Sequence, residues 1–216
     1  MGDGGQVMGM KIKRFTYGPF MTNTYVVSTD DAVLIIDPAC FTQNEQLELE
    51  DYISHRVSDF SHQHSNISII ATHGHLDHLW GAAWATERYN VPVMIAEADY
   101  EMITYMQAQY DLFGINATAK AFPIAPLTAC HWPLTIIPTP GHTQGSVCLY
   151  MPEEKILFSG DTLFRCGFGR TDLPGGNHLQ LIESLKQLMT LPADTQVYPG
   201  HGETTTIGEE DRIGEW

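Results

Sequence analysis

Short apolar runs alternate with stretches of helical periodicity along most of this chain. Residues 11–17, 24–28 and 32–36 read as three strands, with Thr29-Asp30-Asp31 as a turn joining the last two. Thr42 and Glu45 form a capping-box pair ahead of a helix over 43–59, which puts Leu49, Tyr52, Ile53, Val57 and Phe60 on one face. Residues 58–66 read as a polar loop in which His62 and His64 are solvated. The run at 67–71, rich in β-branched residues, is a buried strand that completes a β-α-β unit. A helix over 79–89, a strand at 92–96 and a helix over 98–110 follow. The stretch from Phe113 to His131, broken by Gly114, Pro123 and Pro126, reads as a connection with one short strand. Strands at 134–137, 147–151 and 155–158 lead to a helix over 178–189. Asn177 caps that helix, and Leu181, Ile182, Leu185, Leu188 and Met189 form its apolar face. A last strand lies at 196–198. Strands and helices alternate in both halves, which predicts an α/β protein. Residues 10–216 are expected to be a single domain, with 1–9 a disordered leader or extension.

The polar residues that interrupt this pattern carry the chemistry. Immediately after the strand at 67–71 comes Thr72-His73-Gly74-His75-Leu76-Asp77-His78, three histidines and an aspartate within six positions. Side chains in a loop leaving a strand end can converge on one point, and imidazole with carboxylate suits zinc and other borderline metals. Three more strand ends continue in a similar way. His142 follows Pro140-Gly141, Asp161 follows Ser159-Gly160, and His201 follows Pro199-Gly200. Glycine lets the backbone turn sharply and approach a metal closely. Each residue taken singly is accounted for as a turn residue bonded to its neighbours; the repetition is not. Asp37, before Pro38 at another strand end, is suited either to orient a metal-bound histidine or to cap its turn.

Composition narrows the function classes. The chain has 216 residues, enough for a full-sized core, and 43% of them are apolar. Eleven basic residues against 26 acidic ones give a formal charge of −15. Nucleic-acid binding is disfavoured, because no run of Lys or Arg offers a footprint for phosphates. No apolar run is long enough to span a bilayer and no signal-peptide pattern is visible, so a cytoplasmic protein without membrane attachment is expected. Cys40, Cys130, Cys148 and Cys166 lack CxxC spacing and read as buried, reduced thiols, with Cys166 close enough in sequence to Asp161 to approach the site.

The series Thr-His-x-His-x-Asp-His, Gly-His, Gly-Asp-Thr and Pro-Gly-His, in that order, resembles the metallo-β-lactamase superfamily. The intervening stretches 20–25, 36–38, 158–164 and 169–172 are most similar to its glyoxalase II-like branch, the hydroxyacylglutathione hydrolases. The similarity runs from about Met10 to Glu210. It implies an αββα sandwich, two mixed β-sheets with helices on the outer faces. It also implies two zinc ions, with iron or manganese able to take either place. His73, His75 and His142 would hold the first, Asp77, His78 and His201 the second, and Asp161 would bridge them. The expected reaction is hydrolysis of a small-molecule thioester, a metal-bridged hydroxide attacking the carbonyl with Asp77 orienting it and accepting its proton. Arg170 is a candidate contact for a substrate carboxylate. The chain resembles a short form that lacks the C-terminal helical region, and tyrosines expected near the substrate are replaced around Arg170-Thr171-Asp172 and Gly202-Glu203. Glutathione as the acyl carrier is therefore open, as is a monomer or a homodimer. The rival readings are a mononuclear iron oxidoreductase, similar to persulfide dioxygenases, and a metal-binding module without turnover.

Overall fold

The structure is a computed structural model that describes residues 9–57 and 66–211. Residues 1–8 of the expected leader over 1–9, the polar loop with His62 and His64, and the Phe60 end of the first helix lie outside the described residues. The chain forms two compact units and passes between them several times. The first comprises the described parts of Met1–Ala71, with His75–Met94 and Met106–Cys130. The second comprises Thr72–Gly74, Ile95–Tyr105 and the described part of His131–Trp216.

A six-stranded mixed sheet builds the first unit. Its strands run in order β1 (Lys11–Tyr17), β2 (Thr22–Ser28), β3 (Val33–Ile36), β4 (Ile67–Ile70), β5 (Val93–Ile95) and β6 (Ile124–Pro126). β1, β2 and β3 pair antiparallel, while β3–β4 and β4–β5 are parallel. Val33 to Ile36 are all buried, as expected of a central strand covered on both faces. Helix α1 (Gln43–Val57) starts on the expected capping box: the Glu45 N–H donates to Thr42 Oγ1 at 3.3 Å, and the Thr42 N–H donates to Glu45 Oε2 at 2.7 Å. Glu45 also accepts from the N–H groups of Gly18 and Phe41, and these bonds hold its carboxyl below the usual range against the opposing effect of burial.

Two helices differ from the pattern. The predicted helix at 79–89 begins only at Ala82, as α2 (Ala82–Tyr89), and Leu76–His78 form a 3-10 turn instead of open loop. The Gly81 N–H is drawn out of the helical ladder to the Pro38 carbonyl at 2.7 Å. The predicted helix at 98–110 is broken into α3 (Tyr100–Thr104) and α4 (Met106–Leu112), and the break coincides with the passage between units. Asp99 precedes α3 without capping it, because its carboxylate is engaged elsewhere.

The second unit contains a five-stranded mixed sheet in order β13-β12-β9-β8-β7: β7 (Thr135–Pro138), β8 (Val147–Met151), β9 (Ile156–Gly160), β12 (Gln196–Pro199) and β13 (Thr205–Thr206). Only β9–β12 is parallel. Helix α5 (His178–Leu188) is capped by Asn177, whose Oδ1 accepts from the Gln180 N–H at 3.1 Å. Its Leu181, Leu185 and Leu188 are buried against Ile137, Leu157 and Val197. The hairpin β10 (Leu163–Phe164) to β11 (Gly167–Phe168), the edge strand β13 and helix α6 (Ile207–Asp211) are too short to leave a periodic signal.

The cysteines depart in part from expectation. All four are free, but only Cys40 and Cys148 are buried; Cys130 is half-buried and Cys166, at the tip of the β10–β11 hairpin, is exposed. Burial pushes the thiols of Cys40 and Cys148 up to about 12 and about 11.

Candidate metal centre

Each expected ligand sits just beyond a strand end. β4 delivers His73, His75, Asp77 and His78; β7 leads to His142; β9 ends at Asp161; β12 ends at His201. Gly141 and Gly160 have φ of 137° and 49°, angles an L side chain rarely adopts, so glycine is required there by conformation. Gly200 needs no such angle, and its N–H donates to the Gly160 carbonyl at 2.8 Å.

Within the second unit the rings of His73 and His142 meet edge to face at 4.8 Å. His142 Nε2 lies 3.5 Å from Asp161 Oδ2, and His201 Nε2 lies 3.4 Å from the same oxygen. His142 Nδ1 is 2.7 Å from the Arg170 carbonyl oxygen. A carbonyl only accepts, so Nδ1 is the donor in this contact and Nε2 is the nitrogen left to face the cluster. In the first unit His78 Nδ1 is 2.9 Å from Asp37 Oδ2, which selects the same tautomer, and His78 Nε2 lies 3.5 Å from Asp77 Oδ2. Asp37 therefore orients the histidine in addition to ending its strand. Thr22 Oγ1 donates to Asp77 Oδ2 at 2.6 Å.

With Nδ1 engaged in both rings, each Nε2 is turned toward a carboxylate oxygen at 3.5 Å. Such pairs suit a shared cation. Around a tetrahedral centre with bonds of about 2.0–2.1 Å, neighbouring ligand atoms are about 3.3–3.4 Å apart, close to the separations found here. Three groups of candidate ligand atoms have all members within 4.8 Å of one another: His73, His75 and His142; His73, His78 and Asp161; and Asp77, His78 and His201. His73 and His78 each belong to two groups, so the cluster suits a pair of metals. Six of these seven side chains are nine-tenths buried or close to it; His201 is the more open one, at 28% exposure.

One residue here is missed by the sequence. Asp99 is completely buried, and its Oδ2 accepts from the Gly74 N–H at 2.8 Å and from Thr143 Oγ1 at 2.7 Å. Its Oδ1 accepts from the Gly145 N–H at 2.7 Å. One carboxylate thus ties the His73–His75 segment to the segment that begins at His142. Arg170, the candidate substrate contact, is exposed and its guanidinium pairs with the Asp172 carboxylate at 2.6 and 2.7 Å. This contact holds the Asp172 carboxyl down at about 2. Cys166 is linked by its backbone N–H to buried Glu210 at 2.8 Å.

The comparisons with known proteins agree with this geometry. The family model of the metallo-β-lactamase superfamily matches residues 17–201. The "probable metallo-hydrolase YqgX" of Bacillus subtilis (strain 168) is 34% identical over 214 residues, covering 94% of this chain and 96% of that one. The hydroxyacylglutathione hydrolase GloC of Haemophilus influenzae is 34% identical over 155 residues, covering 67% of this chain and 72% of that one. Among solved structures, TTHA1623 in a di-iron-bound form has a TM-score of 0.82 at 32% identity, covering 94% of this chain and 98% of that one. The α/β fold expected from the motifs is therefore the one observed, and the chain belongs to the metallo-β-lactamase superfamily.

Proposed function

We propose that this chain is a dinuclear metal-dependent hydrolase of thioesters, of the hydroxyacylglutathione hydrolase type. The observation that carries the reading is the set of three overlapping ligand groups, with His73 and His78 shared between them. In this reading His73, His75 and His142 would hold one metal, Asp77, His78 and His201 would hold the other, and Asp161 would serve both. The partial similarity to GloC supports a thioester as substrate, and the di-iron form of TTHA1623 makes iron a candidate beside zinc. A metal pair held here supplies Lewis acidity toward a carbonyl oxygen and acidifies a water to near neutral pH.

The protein's own groups then have separable tasks. Asp37 and the Arg170 carbonyl keep His78 and His142 in the tautomer that presents Nε2. Asp77, held by Thr22, takes the proton of the attacking water as the new C–O bond forms. The C–S bond breaks and the thiolate leaves; with a free pKa of about 8.5 it needs no proton donor. Arg170 is available to a substrate carboxylate only in exchange for Asp172.

Metal content by plasma mass spectrometry, paired with an S-lactoylglutathione hydrolysis assay, tests this reading. About two equivalents of metal with turnover are expected. Asp77→Ala is expected to abolish turnover while metal stays with the His73, His75 and His142 group; retained activity would sink the role given to Asp77. About one equivalent of iron, with oxygen uptake on a persulfide and no thioester hydrolysis, would replace the proposal with the dioxygenase reading.

A further inference from the structure

Asp99 is completely buried and lies outside the three groups of candidate ligands. An aspartate placed just before a helix ordinarily caps it, yet Asp99 makes no such bond to α3. Its three donors come instead from the second unit's two ligand-bearing segments. The Gly74 N–H, between His73 and His75, and Thr143 Oγ1, next to His142, share Asp99 Oδ2; the Gly145 N–H donates to Oδ1. Neutral donors thus engage both oxygens, and no Lys, Arg or His pairs with this carboxylate among the described residues.

The fit around it is close on two sides. A Cβ on Gly145 would lie 2.5 Å from Asp99 Cγ, and a Cβ on Gly74 would lie 3.1 Å from Asp99 Cβ. Two glycines therefore let two main-chain segments close on one short carboxylate. The same segments are also joined by the Val147 N–H, which donates to the Thr72 carbonyl at 2.9 Å. That bond aligns them beside their strands, β4 and β8. The bonds to Asp99 act where the histidines stand.

We propose that Asp99 is a positioning residue of the metal centre, which holds His73 and His142 at metal-binding separation before a metal arrives. It works through the main chain and not through an imidazole nitrogen. It does for the spacing of two ligands what Asp37 does for the orientation of one. The proposal rests on the reading of His73, His75 and His142 as metal ligands, and not on thioester hydrolysis.

Zinc affinity, measured by chelator competition on protein whose circular dichroism shows it folded, tests this without any substrate. Asp99→Ala removes all three bonds and should weaken binding by about 10–100-fold, as for other groups that orient metal ligands from outside. Asp99→Asn should lose less: its amide oxygen can serve Gly74 and Thr143, while its NH2 group faces the Gly145 N–H, donor against donor. Thr143→Val should weaken binding in wild type but change it by less than about twofold when added to Asp99→Ala, because Thr143 then has no carboxylate to hold. The visible bands of bound cobalt(II), which follow ligand geometry, should shift in Asp99→Ala. Leu188→Ala, a truncation in the α5 core, destabilises the fold without touching either segment and should leave zinc affinity and cobalt bands unchanged. Affinity within about twofold of wild type in folded Asp99→Ala, additive losses in the double variant, or an equal loss in Leu188→Ala would each overturn the proposal. If Asp99→Ala does not fold, Asp99→Asn and Thr143→Val decide by the same measure. Wild type that binds no divalent metal would remove the metal reading and this proposal with it. Metal bound in wild type and weakened in Asp99→Ala, but with no thioester hydrolysis, keeps the role of Asp99 and removes the thioesterase reading alone.

Discussion

His78 and His142 present the same nitrogen toward the cluster, but they are supported differently. His78 leans on a side chain, the Asp37 carboxylate at 2.9 Å; His142 leans on the backbone, the Arg170 carbonyl at 2.7 Å. The lesson is that the same tautomer can be encoded in two ways that mutation distinguishes. A carboxylate partner is specified by one residue identity and can be deleted. A carbonyl partner is specified by the path of the main chain, so substituting Arg170 leaves it in place. What holds the path near Arg170 is steric: a Cβ on Gly169 would fall inside contact distance of the Asp161 carbonyl oxygen and 3.0 Å from His142 Nδ1.

The largest effect is therefore expected from Gly169→Ala. It should displace both Asp161 and His142 and lower metal content below one equivalent, read by mass spectrometry on protein whose circular dichroism shows it still folded. Asp37→Ala comes next, with about a 10–100-fold loss of metal affinity in chelator competition, because His78 loses its acceptor. Asp37→Asn sharpens the comparison. An amide oxygen can accept from His78 as the Arg170 carbonyl accepts from His142, and asparagine tolerates the Asp37 φ of 52°. Asn at 37 should keep metal affinity within about threefold, given that a neutral acceptor retains the tautomer; a loss as large as that of Ala would show that the charge matters and that the two supports are not equivalent. Thr22→Val removes the donor to Asp77 and should lower kcat about tenfold, with metal content unchanged, since a hydrogen bond to a charged group contributes about 1.5–3 kcal/mol. Arg170→Ala should change metal affinity least, by less than about twofold, because its exposed pair with Asp172 contributes little.

The fold and the cluster are legible in the sequence to different depths. Helices α1 and α5 are marked by local chemistry, a capping box at Thr42 and Glu45 and a cap at Asn177, and both form as expected. The helix expected over 98–110 fails for a nonlocal reason: Asp99 bonds to loop residues and the chain changes units after Tyr105. The β10–β11 hairpin and the two-residue strand β13 are too brief for any period to register.

The metal-binding character is written locally, because four candidate ligands fall within six positions and three others follow a strand and a glycine. Residue type and strand-end placement are properties of short segments, so the sequence alone determined the family and the fold class and named the residues from which the three candidate ligand groups are drawn. Tertiary structure decided how they are held. Asp99 reaches partners 25, 44 and 46 positions away, and Thr22 reaches Asp77 across 55. His142 is oriented by a main-chain oxygen 28 positions distant, an atom every residue possesses. Such contacts leave no local pattern, since they depend on which segments folding brings together and not on what stands beside them in the chain.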